Sequence, residues 1–251
     1  MDDVTTLVPL TERYPVLDAN AVAQADLVLC DLDGCLISEG RRFADTADFV
    51  AACGARLWIV SNASDTTAVA LSQRLGDIGI AVPPARILLA GETALDYLAR
   101  VEEIKSIALF ADNTLIDLAK SLGIDPDAQD PDAILLCRHS SVTVDTMGPI
   151  LALVARGVPL WVANEDLSHP GQDNQPVAET GALLAALRAI KPDLTWRSLG
   201  KPDPMMLTMA LARSGLTADD AVFVGDNALT DGRAAARLGM KFIHIERRPR
   251  R

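Results

Sequence analysis

The chain has 251 residues, 49% of them apolar and 4% aromatic, with a formal net charge of −11. That length allows one large domain or two modest ones. The acidic balance, with no basic stripe, argues against a nucleic-acid partner.

No apolar run is long enough for a membrane span, because Asp, Arg and Gly interrupt each candidate. The start, at Asp2 and Asp3, lacks the basic and apolar segments of a secretory signal, so a cytoplasmic protein is expected. Cys30, Cys35, Cys53 and Cys137 show no C-x-x-C spacing, which suits reduced thiols better than a disulfide framework. Three histidines without ligand spacing argue against zinc. The basic end, Arg247, Arg248, Arg250 and Arg251, reads as a frayed, solvated terminus.

The first clear strand is Leu27-Val28-Leu29-Cys30, an unbroken apolar run of the kind covered on both faces in a parallel sheet. A helix from near Asp45 to Cys53 follows, then the strand Leu57–Val60 ending in Ser61-Asn62, then a helix over about Asp65–Leu75 closed by Gly76. Residues 86–179 hold strands of their own at 87–89, 107–110, 133–136 and 160–162, with helices near 94–103 and 114–122. Pro83-Pro84 and the polar stretch 168–176 read as linkers. Beyond them, Asp203-Pro204 opens a helix running to Ser214-Gly215, and Ala221–Val224 is a buried strand. A helix over about 231–238 and the strand Phe242–Ile245 complete the pattern. The expected architecture is α/β: a Rossmann-like parallel-sheet core of residues 1–85 and 180–251, with a smaller α/β domain of residues 86–179 inserted.

Four places in the core carry polar residues near strand or helix ends: Asp31 with Asp33, Ser61, Lys201, and Asp226 with Asp231. Ligands bind beyond the carboxyl ends of strands in open parallel sheets, so these residues are expected to converge. Each alone reads as a turn or a solvated charge; their order and spacing together point to chemistry.

D-L-D-G after a strand, S-N after the next, G-K-P, and G-D-N-A-L-T-D after a later strand resemble the four motifs of the haloacid dehalogenase superfamily. The insertion resembles the cap of its class IIA, nitrophenylphosphatase-like members. Leu89–Thr93 resembles the opening of such a cap, and Val162–Asp166 its N-x-D segment.

The resemblance implies a Mg²⁺-dependent phosphatase acting on a small phosphate monoester, such as a sugar phosphate or nucleotide, through an aspartyl-phosphate. Asp31 would be the nucleophile and Asp33 the acid and base. Mg²⁺ would be held by Asp31, the Asp33 carbonyl and Asp226, with Asp231 orienting the site. Lys201, Ser61, and the N–H groups of Asn62 and Gly34 would bind the phosphoryl group. An acid two residues after the nucleophile favours phosphoryl transfer over dehalogenation.

Candidates for reading the leaving group are Glu92, Thr93, Arg138, His139, Asn164 and Asp166. Cys137 and His139 stand where family members often have glycine and an acidic residue. A phosphotransferase and a non-catalytic binding protein are the alternative readings. A homodimer is allowed.

Overall fold

A computed structural model describes residues 11–170 and 175–247. Asp2, Asp3, Arg248, Arg250 and Arg251 lie outside these residues, as does part of the stretch read as a linker at 168–176.

The strands are β1 (Thr11–Tyr14), β2 (Leu27–Cys30), β3 (Ile37–Ser38), β4 (Arg41–Arg42), β5 (Leu57–Ser61), β6 (Ile87–Leu89) and β7 (Ile107–Phe110). They continue with β8 (Ala133–Leu136), β9 (Leu160–Val162), β10 (Ser168–Pro170), β11 (Pro176–Ala178), β12 (Arg197–Ser198), β13 (Ala221–Gly225) and β14 (Lys241–Ile245). The α-helices are α1 (Thr46–Cys53), α2 (Ala68–Asp77), α3 (Ala90–Arg100), α4 (Asn113–Ser121), α5 (Val144–Ala155), α6 (Thr180–Ile190), α7 (Met205–Ser214) and α8 (Arg233–Arg237).

The chain divides into two compact units, one of residues 1–61, 71–88 and 201–251 and one of residues 62–70 and 89–200. The first contains a six-stranded sheet in the order β1-β14-β13-β2-β5-β6. Its pairings β1–β14, β14–β13, β13–β2 and β2–β5 are all parallel. Strands β2, β5 and β13 are buried at every position, which explains their unbroken apolar sequences. The chain runs from β2 to β5 on one side and places β13 on the other, so the strand order reverses at β2. Such a reversal leaves a crevice at the carboxyl ends of the strands.

The second unit has a four-stranded parallel sheet, β12-β9-β8-β7. Ile134, Leu136, Leu160 and Val162 from this sheet pack with Ile150 of α5 and with Leu184 and Leu187 of α6. Trp161 is buried, as its apolar run implies.

Several elements differ from the sequence reading. Strand β6, expected in the insert, is the edge of the six-stranded sheet, whereas α6 and β12, expected in the core, belong to the second unit. Helix α2 runs past Gly76 and ends before Gly79, whose φ of +77° suits a residue without Cβ. Helix α5 was hidden by Gly148-Pro149, normally a breaker pair; a Thr143–Thr146 capping box starts the helix, which continues through Pro149 in its middle. In the stretch read as a linker, Ser168–Pro170 form strand β10, which pairs antiparallel with β11. No described helix is long and apolar enough to cross a membrane. All four cysteines are free and buried.

Candidate active site

Asp31 follows β2 directly, Ser61 ends β5, and Asp226 follows β13. These three adjacent strands point their carboxyl ends the same way, which is why residues nearly 200 positions apart meet. The Asp31 N–H donates to the Val224 carbonyl at 2.8 Å, continuing the ladder one residue past β2 and fixing where the carboxylate emerges.

The sequence from Asn227 to Gly232 explains how Asp231 joins them. Residues five apart on an ordinary α-helix point about 140° from each other. Here Ala228–Gly232 forms a widened π-type turn, with the Gly232 N–H reaching the Asn227 carbonyl at 3.3 Å. Asp231 thereby faces inward and is fully buried, with Oδ2 accepting the Asn227 N–H at 3.2 Å. A Cβ on Gly225 would lie 2.2 Å from Asp231 Oδ2. Because Asp231 is enclosed, Gly225→Ala should destabilise the fold by about 2 kcal/mol and impair the site; a denaturation midpoint equal to the parent's would contradict this packing. Gly34 is tighter still: its φ is +84°, and a Cβ there would lie 2.0 Å from Asp226 Oδ2.

Ligand oxygens of Asp31, Asp226 and Asp231 all lie within 4.8 Å of one another. Lys201 neutralises part of this charge. Its Nζ, 3% exposed, donates to Asp31 Oδ1 at 2.5 Å, to Asp231 Oδ1 at 2.8 Å and to the Val60 carbonyl at 3.0 Å. These bonds tie the Lys201 ammonium to two of the carboxylates. Burial works against its charge, but Asp231 and Asp31 more than offset that and hold its pKa well above the usual range. Fully ionised, three carboxylates against one ammonium would carry a local charge of −2.

The acids register that excess. Burial, with the Asp226 charge adding to it and Lys201 opposing, pushes Asp31 up to about 7. Burial and Asp231 push Asp226 up to about 6, and burial with Asp31 pushes Asp231 to about 6. The folded protein thus binds more protons than the unfolded chain between roughly pH 4 and 7, so these groups make stability fall as pH rises through that window. A divalent cation needs the deprotonated acids. The melting temperature of chelated protein should therefore drop between about pH 5.5 and pH 8, and added Mg²⁺ should raise it more at the higher pH. Equal metal stabilisation at both pH values would contradict this.

The expected acid–base residue and the other expected phosphate-binding groups are placed as follows. Ser61 is buried at the end of β5. Asp33 is exposed. The Gly34 N–H, expected to face a phosphoryl oxygen, instead donates to the Ile37 carbonyl at 2.8 Å because the chain turns straight into β3. Asn62 opens the second unit. Its side chain donates to Asp166 Oδ2 at 2.9 Å, and its carbonyl accepts from Asn164 Nδ2 at 2.8 Å.

Asn164 and Asp166, expected to read a leaving group, are thus engaged in holding Asn62. Asn164, fully buried, also donates to Ser64 Oγ at 3.1 Å. Arg138 pairs with Asp65 and approaches Glu179 Oε1 at 3.3 Å, while His169 Nδ1 meets the same oxygen at 2.6 Å. Thr93 is buried within α3 and Glu92 lies in its first turn. His139 Nδ1 is buried and lacks a hydrogen-bond partner among the described residues.

Two contributors were not expected from sequence. The Val60 carbonyl holds Lys201, a backbone role that no side chain reveals. His244 Nε2 donates to the Asp226 carbonyl at 2.9 Å. Its place in β14 on the Phe242 face was readable from strand alternation, but its acceptor was not.

Residues 28–125 match a family model for haloacid dehalogenase-like hydrolases, and residues 198–247 match a second model for hydrolases of the same kind. The ribonucleotide monophosphatase NagD of Escherichia coli (strain K12) is 27% identical over 221 residues, covering 87% of this chain and 86% of NagD. The solved NagD structure superposes with a TM-score of 0.79 at 26% identity, over 89% of this chain and 88% of that one. A p-nitrophenyl phosphatase from Archaeoglobus fulgidus gives a TM-score of 0.81 at 22% identity, over 88% and 86%. The glycerol phosphate phosphatase of Mycobacterium tuberculosis, solved in complex with magnesium, gives 0.80 at 22%, over 88% and 67%. With the motif residues Asp31, Ser61, Lys201 and Asp226 brought to one switch point of a parallel sheet, and with the two family models together matching more than half of the chain, the chain belongs to the haloacid dehalogenase-like hydrolases, class IIA.

Proposed function

We propose that this chain is a Mg²⁺-dependent phosphatase that hydrolyses a small phosphate monoester through an aspartyl-phosphate on Asp31. The observation that carries the reading is the Asp31–Asp226–Asp231 cluster, whose three carboxylates, when ionised, exceed the charge of Lys201 by two. All its donors are carboxylate oxygens, which suits a hard divalent cation such as Mg²⁺. Asp31, Asp226 and Asp231, with the Asp33 carbonyl, would hold the ion. When bound, it supplies the positive charge that lets a carboxylate and a phosphate dianion approach. Without such charge, each like-charged pair at roughly 4 Å costs about 4 kcal/mol at an effective dielectric of about 20.

Lys201 lowers the cost of ionising Asp31 and fixes one of its oxygens, leaving the other available for in-line attack on phosphorus. Attack forms the Asp31–phosphorus bond and breaks the ester P–O bond. Asp33, two residues on and exposed, protonates the leaving oxygen and then takes a proton from the water that hydrolyses the acyl phosphate. Ser61 contributes a hydroxyl for the phosphoryl oxygens, whose charge spreads in the transition state.

Names of similar proteins support the class of substrate: a ribonucleotide monophosphatase, a p-nitrophenyl phosphatase and a glycerol phosphate phosphatase. The test is phosphate release over a panel of sugar phosphates, nucleoside monophosphates, glycerol phosphate and pyridoxal phosphate. The reading expects turnover that chelation stops and Mg²⁺ restores. Full turnover after exhaustive chelation would contradict it.

A further inference from the structure

Arg247 belongs to the basic end that sequence alone reads as frayed, yet its side chain is 13% exposed. It lies two residues beyond β14. Its Nε and Nη2 both donate to the Cys35 carbonyl, at 3.1 and 2.6 Å. Its Nη1 donates to Asp45 Oδ2 at 2.9 Å, and its guanidinium carbon sits 3.8 Å from the centroid of the Phe43 ring.

The partners of Arg247 are the two feet of one hairpin. Strands β3 and β4 form it; Cys35 lies two residues before β3, and Phe43 directly follows β4. Asp45 occupies the N-cap position of α1 without capping the helix; its Oδ2 instead takes Arg247 and the Leu17 N–H, the latter at 2.7 Å. Thr46 adds a second tie, its Oγ1 donating to the Leu36 carbonyl at 2.6 Å.

The hairpin in turn sets the loop that carries Asp33. Asp33 bridges to Ile37, the Gly34 N–H donates to the Ile37 carbonyl at 2.8 Å, and the Leu36 and Ile37 N–H groups donate to the Leu32 carbonyl at 2.8 and 3.0 Å.

We propose that Arg247 is a positioning residue for Asp33: by stapling both feet of the β3–β4 hairpin it fixes the loop from which Asp33 reaches the leaving oxygen. The inference rests on the phosphatase reading above. A planar fork stacked on a ring and bonded on both edges is directional, unlike a solvated ion pair. Lys at the same position would keep the charge and lose the second bond to Cys35. Misplacing a reacting group by about 1 Å can cost on the order of 10²-fold in rate.

The test compares kcat/KM for the best alkyl phosphate of the panel with that for nitrophenyl phosphate, in the parent, Arg247→Ala, Arg247→Lys and Asp33→Asn. Nitrophenolate departs without a proton, whereas an alkoxide needs one. Arg247→Ala should lose roughly 30-fold on the alkyl ester and about threefold on nitrophenyl phosphate, a smaller version of the Asp33→Asn pattern. Arg247→Lys should show the same skew, and serves if the Ala variant does not fold. In the free protein, the Leu36, Ile37 and Phe43 amides should exchange faster while those of β13 do not. Equal losses on the two esters, no loss, or unchanged exchange would overturn the inference with the phosphatase reading intact. A parent inactive on both esters would overturn both.

Discussion

Asp31→Asn should lower phosphate release by at least about 10⁴-fold while leaving the fold intact. The amide keeps the volume and can still accept from Lys201 through its oxygen, but it offers no anionic nucleophile. Because burial pushes Asp31 up to about 7, its charge is a cost to the metal-free protein near neutral pH. The variant should therefore melt no lower than the chelated parent at about pH 8, and should lose most of the stabilisation that Mg²⁺ gives the parent. Calorimetry with and without metal, beside a phosphate-release assay, checks all three statements. A variant that turns over at the parental rate would remove Asp31 from the chemistry.

Lys201→Met should act on stability as well as rate. It takes away the ammonium bonded to Asp31 and Asp231 and leaves both acids buried with the Asp226 charge beside them. Removing one partner of a buried ion pair costs about 3–5 kcal/mol. The stranded acids can recover part of that by taking up protons, so the deficit should shrink as pH falls from about 8 to about 5.5. Activity should fall at least about 10³-fold, because Asp31 loses both its orientation and the charge that favours its ionised form. Urea denaturation at the two pH values decides the matter. A pH-independent deficit would mean that Lys201 contributes by packing rather than by neutralising the carboxylates.

The sheet was legible because its signals are local. Leu27–Cys30, Leu57–Val60 and Ala221–Val224 are apolar at every position, and burial on both faces is what such runs require. The motif acids were legible because they sit where those runs stop. Pairing was not legible. That Lys201 would bond to Asp231 depends on a π-type turn, and helical periodicity aims Asp231 away from Asp226.

Helix α5 and Arg247 failed for related reasons. Gly148-Pro149 argues locally against a helix that a capping box and the packing of Ile150 sustain. Arg247 follows the last strand in a run of exposed-type residues, and nothing in its neighbourhood announces Cys35, Phe43 and Asp45, about 200 positions earlier. Asn164 and Asp166 were singled out from a motif, but a motif gives residue type and not direction; here they face Asn62.

The most direct test of the account is to trap the acyl phosphate. Enzyme mixed with a radiolabelled phosphate ester and Mg²⁺, quenched in acid within milliseconds, is reduced with borohydride, which converts a phosphorylated aspartate to homoserine, and then mapped by peptide mass. The account predicts homoserine at position 31, formed at a rate no slower than phosphate release. Label on another residue, or phosphate released with no residue ever labelled, would contradict it.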